Sequence, residues 1–256
     1  MLTGITGESL IRRDRFVVVV SAGGLLILSW IVLSRHALST SSHHAVLMPH
    51  ALPAPGGRFA LAFLMWMVMM VAMMLPPVMP WILLFASASR TRSASAPPFV
   101  RTGLFVGGYL TTWAVYCLAA AAVQLVLQQR GLLGADDQKT IPLVGAGLLI
   151  SAGLYQLTPL KSACLRHCRS PISFFLSRWR NGPAGAFQMG LRHGLYCVAC
   201  CWALMALSFA LGVMNLLWMA AVTLMLCVEK IAPGGRLLSR VFGLLLTTWG
   251  VYLLVS

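Results

Sequence analysis

The sequence predicts an all-α fold: a polytopic membrane helix bundle of about seven transmembrane helices, with the N-terminus cytoplasmic and the C-terminus outside. Three observations carry this expectation. Apolar residues make up 59% of the chain and charged residues only 9%, with a mean hydropathy of +0.85, whereas soluble domains average about a quarter charged residues. Seven apolar runs, at about 16–34, 59–88, 102–128, 141–158, 187–212, 214–229 and 237–255, are long enough to span, a crossing helix needing about 20 residues. With that orientation, all but four of the 19 Lys and Arg fall on the inner side, the exceptions being Arg35, Arg58, Arg130 and Lys139. Lys/Arg bias in short loops is the main determinant of orientation. The net charge of +14 is therefore topogenic; scattered between apolar runs, it argues against nucleic acid and for a lipid bilayer as partner.

The organisation is an N-terminal anchor helix with a His-containing outside loop over residues 1–58, then a six-helix membrane domain over 59–256. The first run follows IRRDR, as a signal peptide would. Its apolar part, FVVVVSAGGLLILSWIVL, exceeds the 7–15 residues of a signal h-region and no A-x-A site follows, so it reads as a retained anchor. The loop after it carries His36, His43, His44 and His50 with Met48. These could capture metal at the outer face, although a loop lacks neighbours that hold the rings in place.

The second run, FALAFLMWMVMMVAMMLPPVMPWILLFASAS, contains Pro76, Pro77 and Pro80. Proline removes a donor and clashes with the preceding turn, so this helix should kink or break there. Seven of the chain's 14 methionines lie between Met65 and Met79. Met65, Met69 and Met73 form one stripe, and Met67, Met70 and Met74 a second beside it. Thioether ligation and plain packing explain them equally well. LTTWAVY at 110–116 in the third run echoes LTTWGVY at 246–252 in the last, a match that chance or interfacial anchoring by the aromatics also explains.

Chemistry concentrates after the fourth run. In QLTPLKSACLRHCRSP, Thr158 is an N-cap with Pro159 at the first helical position, and Pro171 bounds the end. Cys164, His167 and Cys168 then share a face at i, i+3, i+4 spacing. In RHGLYCVACCWALM, the residues His193, Cys197, Cys200 and Cys201 fall within an arc of roughly 100°, with Trp202 opposite. Both groups read as lying at or near the cytoplasmic ends of their spans, where lasting disulfides are rare. Metal ligation, buried packing and thiol redox remain as readings, and Cys/His clusters are ligand sets first. Cys117 and Cys227 read as packing. Thiolates near thioethers favour Cu(I), with Zn(II) next, over ions that prefer oxygen.

The sixth run, MNLLWMAAVTLMLCVEK, puts Met214, Trp218, Met225 and Glu229 on an arc of roughly 60°. An ionisable residue there is a functional candidate with an expected partner. Glu229 is placed to pair with Arg192 or a lysine, to close a metal site, or to snorkel beside Lys230.

Four stretches in order, MWMVMMVAMMLPPVMP, YQLTPLKSACLRHCRSP, MGLRHGLYCVACCWALM and GVMNLLWMAAVTLMLCVEK, resemble those of a bacterial family of predicted metal-binding integral membrane proteins. Some of its members are described as copper chaperones. The resemblance runs from about residue 59 to 255. It implies metal handling by Cys164, Cys168, His193, Cys197, Cys200 and Cys201, with His167 a weaker match and the Met-rich helix and Glu229 near the same site. The expectation is a multi-pass protein of the bacterial inner membrane, not an enzyme, that binds Cu(I), or else Zn(II). Its ligands are Cys164, His167, Cys168, His193, Cys197, Cys200, Cys201, Met69, Met73, Met225 and Glu229. Delivery, transport and sensing stay open, and the partner would be a copper-requiring membrane enzyme or another metal-handling protein. The rivals are a membrane thiol-disulfide oxidoreductase and a non-catalytic scaffold.

Overall fold

The computed structural model describes residues 3–39, 55–92, 98–133, 141–213, 215–232 and 234–255. His43, His44, His50 and Met48 of the outer loop, and Met214, lie outside these residues. Among the described residues the chain forms nine helices: α1 (Thr3–Ser39), α2 (Pro55–Arg92), α3 (Pro98–Gln129), α4 (Pro142–Leu157), α5 (Pro159–Arg169), α6 (Pro171–Ser177), α7 (Gly182–Leu211), α8 (Leu216–Ile231) and α9 (Gly235–Val255).

Five of these, α1, α2, α3, α7 and α9, contain stretches long and apolar enough to cross a membrane. The pair α4 and α5 adds a sixth if it counts as one span broken by a 65° bend. The bend falls where the sequence puts it. Thr158 accepts a hydrogen bond from the Lys161 N–H, and Pro159 opens α5. Proline fits that position because its missing N–H would have no helical partner there. The run expected at 214–229 becomes α8, with 16 residues. At 1.5 Å per residue it is about 24 Å long, short of the ~30 Å hydrocarbon core.

Of the kink or break expected at the prolines, the break does not occur: α2 runs unbroken through Pro76, Pro77 and Pro80. The carbonyls that lose their donors belong to Ala72, Met73 and Pro76, in a stretch buried against other helices. Buried surroundings of this kind let membrane helices tolerate proline without breaking.

The tightest seam joins α3 to α7. Ala186, Gly190 and Gly194 recur every four residues on the face α7 turns to α3. A Cβ at Gly190 would overlap the Phe105 carbonyl, and one at Gly108 the Phe187 carbonyl. Small residues at this spacing let backbones approach where apolar burial gives no driving force. Thr112 donates to the Leu191 carbonyl at 3.1 Å and Tyr116 to that of Trp202 at 3.2 Å, so the helices run parallel. α4 and α9 also pack closely through Gly153, Gly243 and Gly250, but antiparallel, Gly243 meeting Gln156 and Gly250 meeting Ala146. α2 crosses the front, with Trp66 donating to Gln124 Oε1 at 2.7 Å. The LTTW echo has no shared setting: Trp113 is buried, and Trp249 is exposed.

α5 is fastened to α8 by charge. Lys161 Nζ lies 2.6 Å from Glu229 Oε1, with the side chains 1% and 0% exposed. Arg169 Nη1 donates to the Glu229 carbonyl at 3.3 Å. Of the two expected partners, Arg192 or a lysine, Glu229 takes a lysine, and Arg192 is exposed. Lys161, which reads in the sequence as an inner-loop charge, is buried instead.

Two outcomes follow for stability. Gly190→Ala should cost about 1–3 kcal/mol by overpacking, while Gly107→Ala, whose Cβ meets open space, should be neutral; thermal unfolding in detergent compares them, and equal melting points would refute the seam. Glu229→Gln leaves a buried ammonium unpaired and should cost about 3–5 kcal/mol, most of it recovered in the double variant Lys161→Met/Glu229→Met. A double variant no better than the single would show that the pair is not what holds α5.

Candidate metal centre

The midpoint of α7 gathers the thiols. Cys197, Cys200 and Cys201 project from the buried side of a helix whose opposite side carries the exposed Trp202. They lie halfway along a 30-residue helix, deeper than the end-of-span position that the sequence suggests. The Sγ atoms of Cys200 and Cys201 both turn back one helical turn, to 3.1 and 2.9 Å from the Cys197 carbonyl. Helix geometry brings i and i+4 together in this way.

Four neighbouring helices each supply a group to this cluster. From α5, Cys168 Sγ comes within 3.8 Å of Cys200 Sγ. Its backbone is held by Trp81 of α2, whose Nε1 donates to the Cys168 carbonyl at 2.9 Å. From α2, Met74 Sδ lies 4.0 Å from Cys201 Sγ. From α3, the Tyr109 hydroxyl is 3.2 Å from Cys197 Sγ, and from α8 Lys230 Nζ is 3.1 Å from the same sulfur. All seven cysteines are free thiols.

His193, one turn before Cys197, is buried and stacks on Trp81 with ring centroids 3.8 Å apart. Its Nδ1 has no hydrogen-bond partner. An unpartnered buried nitrogen is costly and leaves a lone pair or proton for a ligand. Among the described residues, however, no group of three or more His, Cys, Asp or Glu is gathered as a finished metal shell. The sulfurs approach in pairs.

The remaining expected ligands are dispersed around this centre. Cys164 is half-buried. His167 is exposed, with its ring stacked on Tyr196 and its Nδ1 3.0 Å from the Ala163 carbonyl. Met69, Met73 and Met225 are buried in the apolar core, and Glu229 is engaged with Lys161.

Sequence reasoning missed three residues at the thiols, Met74, Tyr109 and Lys230, and the Lys161 that pairs with Glu229. A signal existed for two of them. Met74 belongs to the second methionine stripe, and Lys230 follows Leu226 by four residues, on a face of α8 that is otherwise buried. Tyr109 and Lys161 depend on which helices become neighbours, which spacing within one helix does not encode.

The comparisons agree with this chemistry. A family model described as PpoB2, copper chaperone, matches residues 63–253. No curated protein and no solved structure matches the chain. The family match covers about three quarters of the chain, which therefore belongs to that family.

Proposed function

We propose that this member of the copper chaperone family is a multi-pass protein of the bacterial inner membrane that carries Cu(I) as its cargo. It would bind the ion with sulfur ligands buried between α5 and α7 and hand it to a copper-requiring membrane enzyme or another metal-handling protein. The approach of Cys168 to Cys200, at 3.8 Å between two helices, carries the reading. One ion between these sulfurs would join α5 to α7, and Cys197, Cys201 and Met74 stand next to them.

The donor set fits the cargo. Four buried thiols and a thioether are soft ligands, which select Cu(I), with Zn(II) the competitor. Glu229, the carboxylate on α8, has its charge offset by Lys161 at Oε1, although its Oε2 has no hydrogen-bond partner. His193 offers an imidazole one turn away. Met69, Met73 and Met225 give the surroundings further thioethers, while Cys164 and the exposed His167 would stand on the approach from α5 rather than on the ion. In this reading α8 and the α4–α5 pair each make one crossing. That gives seven, with the N-terminus cytoplasmic and the C-terminus outside, in keeping with the arginine distribution.

The test is a Cu(I) titration against a competing chelator, with protein purified anaerobically in detergent. Wild type should bind Cu(I) tightly and stoichiometrically. The variant Cys168→Ser/Cys197→Ser/Cys200→Ser/Cys201→Ser should lose that binding, and His167→Ala should keep it. Equal binding by wild type and the fourfold variant would sink the reading. A thiol oxidoreductase would instead show a Cys168–Cys200 disulfide that turns over with a dithiol substrate and no copper.

A further inference from the structure

Because α4 and α9 pack antiparallel, the last turn of α4 lies beside the first turns of α9, and α5 bends away there by 65°. A cavity of about 190 Å³ opens between the three helices. Its wall is mostly polar: Gln156 of α4, Thr158 and Ser162 at the start of α5, and Arg236, Ser239 and Arg240 of α9. The bonds these groups already make leave only N–H donors unused. Thr158 donates to the Tyr155 carbonyl, Ser162 to that of Pro159, and Ser239 to Gln156 Oε1 at 3.1 Å. Gln156 is 4% exposed, and its Nε2 has no hydrogen-bond partner. Among the described residues, neither the Arg236 nor the Arg240 guanidinium has a hydrogen bond or ion pair. No carboxylate is at hand to neutralise them, since the one acid after Asp137 is Glu229, which is paired with Lys161. Two like charges around one cavity, with a spare amide donor in its wall, call for an anion.

We propose that this cavity between α4, α5 and α9 binds the phosphate of an anionic phospholipid headgroup. Arg236 and Arg240 stand one helical turn apart, and the planar fork of each offers paired donors that match phosphate oxygens. The Gln156 amide adds a neutral donor deeper in the wall. A lipid is the source because the surroundings are apolar where an acyl chain would run. Leu157 on the wall, Leu160 just past Pro159 and Leu237 just past Arg236 are all exposed. In the orientation that the arginine distribution gives, the cavity lies on the inner side, where basic pockets between membrane helices take anionic headgroups. Arginines that served only to orient the chain would need neither a cavity between them nor a wall of donors. None of these residues is a proposed copper ligand, so the site stands or falls apart from the copper function.

The experiment titrates the full chain, delipidated in a neutral detergent, with phosphatidylglycerol, phosphatidylcholine or inorganic phosphate, and counts bound molecules by native mass spectrometry. Wild type should take up one phosphatidylglycerol more tightly than either alternative. Arg236→Gln/Arg240→Gln should weaken that binding at least about tenfold, and Gln156→Glu, which sets a carboxylate among the donors, should weaken it too. Arg166→Gln removes a neighbouring charge from α5 that does not line the cavity, and it should change the affinity less than about twofold. If the double variant cannot be purified folded, Arg236→Gln and Arg240→Gln alone should each show part of the loss. Equal weakening by Arg166→Gln and the cavity variants would overturn the site in favour of a diffuse surface charge. Equal binding of phosphatidylglycerol and phosphatidylcholine would overturn it as well. Inorganic phosphate bound as tightly as the lipid, and lost in the same variants, would keep the phosphate site and overturn the lipid as its source.

Discussion

The close approach of α3 and α7 is the constraint on which the rest of the molecule depends. In a bilayer, apolar side chains gain little by leaving lipid for protein, so helices are held by backbone proximity and polar contacts. Gly190 and Gly194 on α7 and Gly108 on α3 supply that proximity. Once the two backbones meet there, residues above the contact have little freedom of position. Tyr109 is brought level with Cys197, and the thiol-bearing face of α7 is aimed away from lipid toward α2, α5 and α8. The glycines carry no chemistry, but they set where the chemistry happens.

Charge pairing then decides what kind of site this can be. A buried ammonium and a buried carboxylate are each expensive alone, and together they are tolerable. By engaging Lys161, Glu229 fixes α5 against α8 and holds Cys168 opposite Cys200. The same contact offsets the charge of a carboxylate that a harder cation would use, although its Oε2 has no hydrogen-bond partner. What remains near the thiols is sulfur, one imidazole, a phenol and the ammonium of Lys230. A single ion pair thus serves both as a fastening and as a filter on ligand chemistry.

Much of this was legible in the sequence because it is local. Apolar runs report helices, Thr158 and Pro159 report where α5 begins, and 3.6-residue periodicity puts His193, Cys197, Cys200 and Cys201 on one face. What spacing within one helix does not report has a different origin. Pro76, Pro77 and Pro80 should kink or break an isolated helix, yet α2 stays unbroken where it packs into the bundle. Met69 and Met73 resemble Met74 in type and period, and only the position of α7 singles out Met74. His167 has the spacing of a ligand, but Tyr196 offers its ring a stacking surface on the outside. In each case a contact between helices outweighed a preference within one.

The incompleteness of the sulfur shell is itself informative for a carrier. A chaperone must bind its ion and also give it up, and a fully preorganised shell would contribute all its binding energy to retention. Here Cys168 and Cys200, and Cys201 and Met74, approach in separate pairs at 3.8 and 4.0 Å. Gathering them around one ion requires part of the intrinsic affinity to be spent on rearranging side chains. α7 resists that rearrangement because glycine contacts lock it to α3. α5 is an 11-residue segment set between Pro159 and Pro171, tied by one ion pair and a few hydrogen bonds. In the proposed function, adjustment on loading would therefore fall to Cys168, and the strength of its tethers would set how firmly the cargo is held.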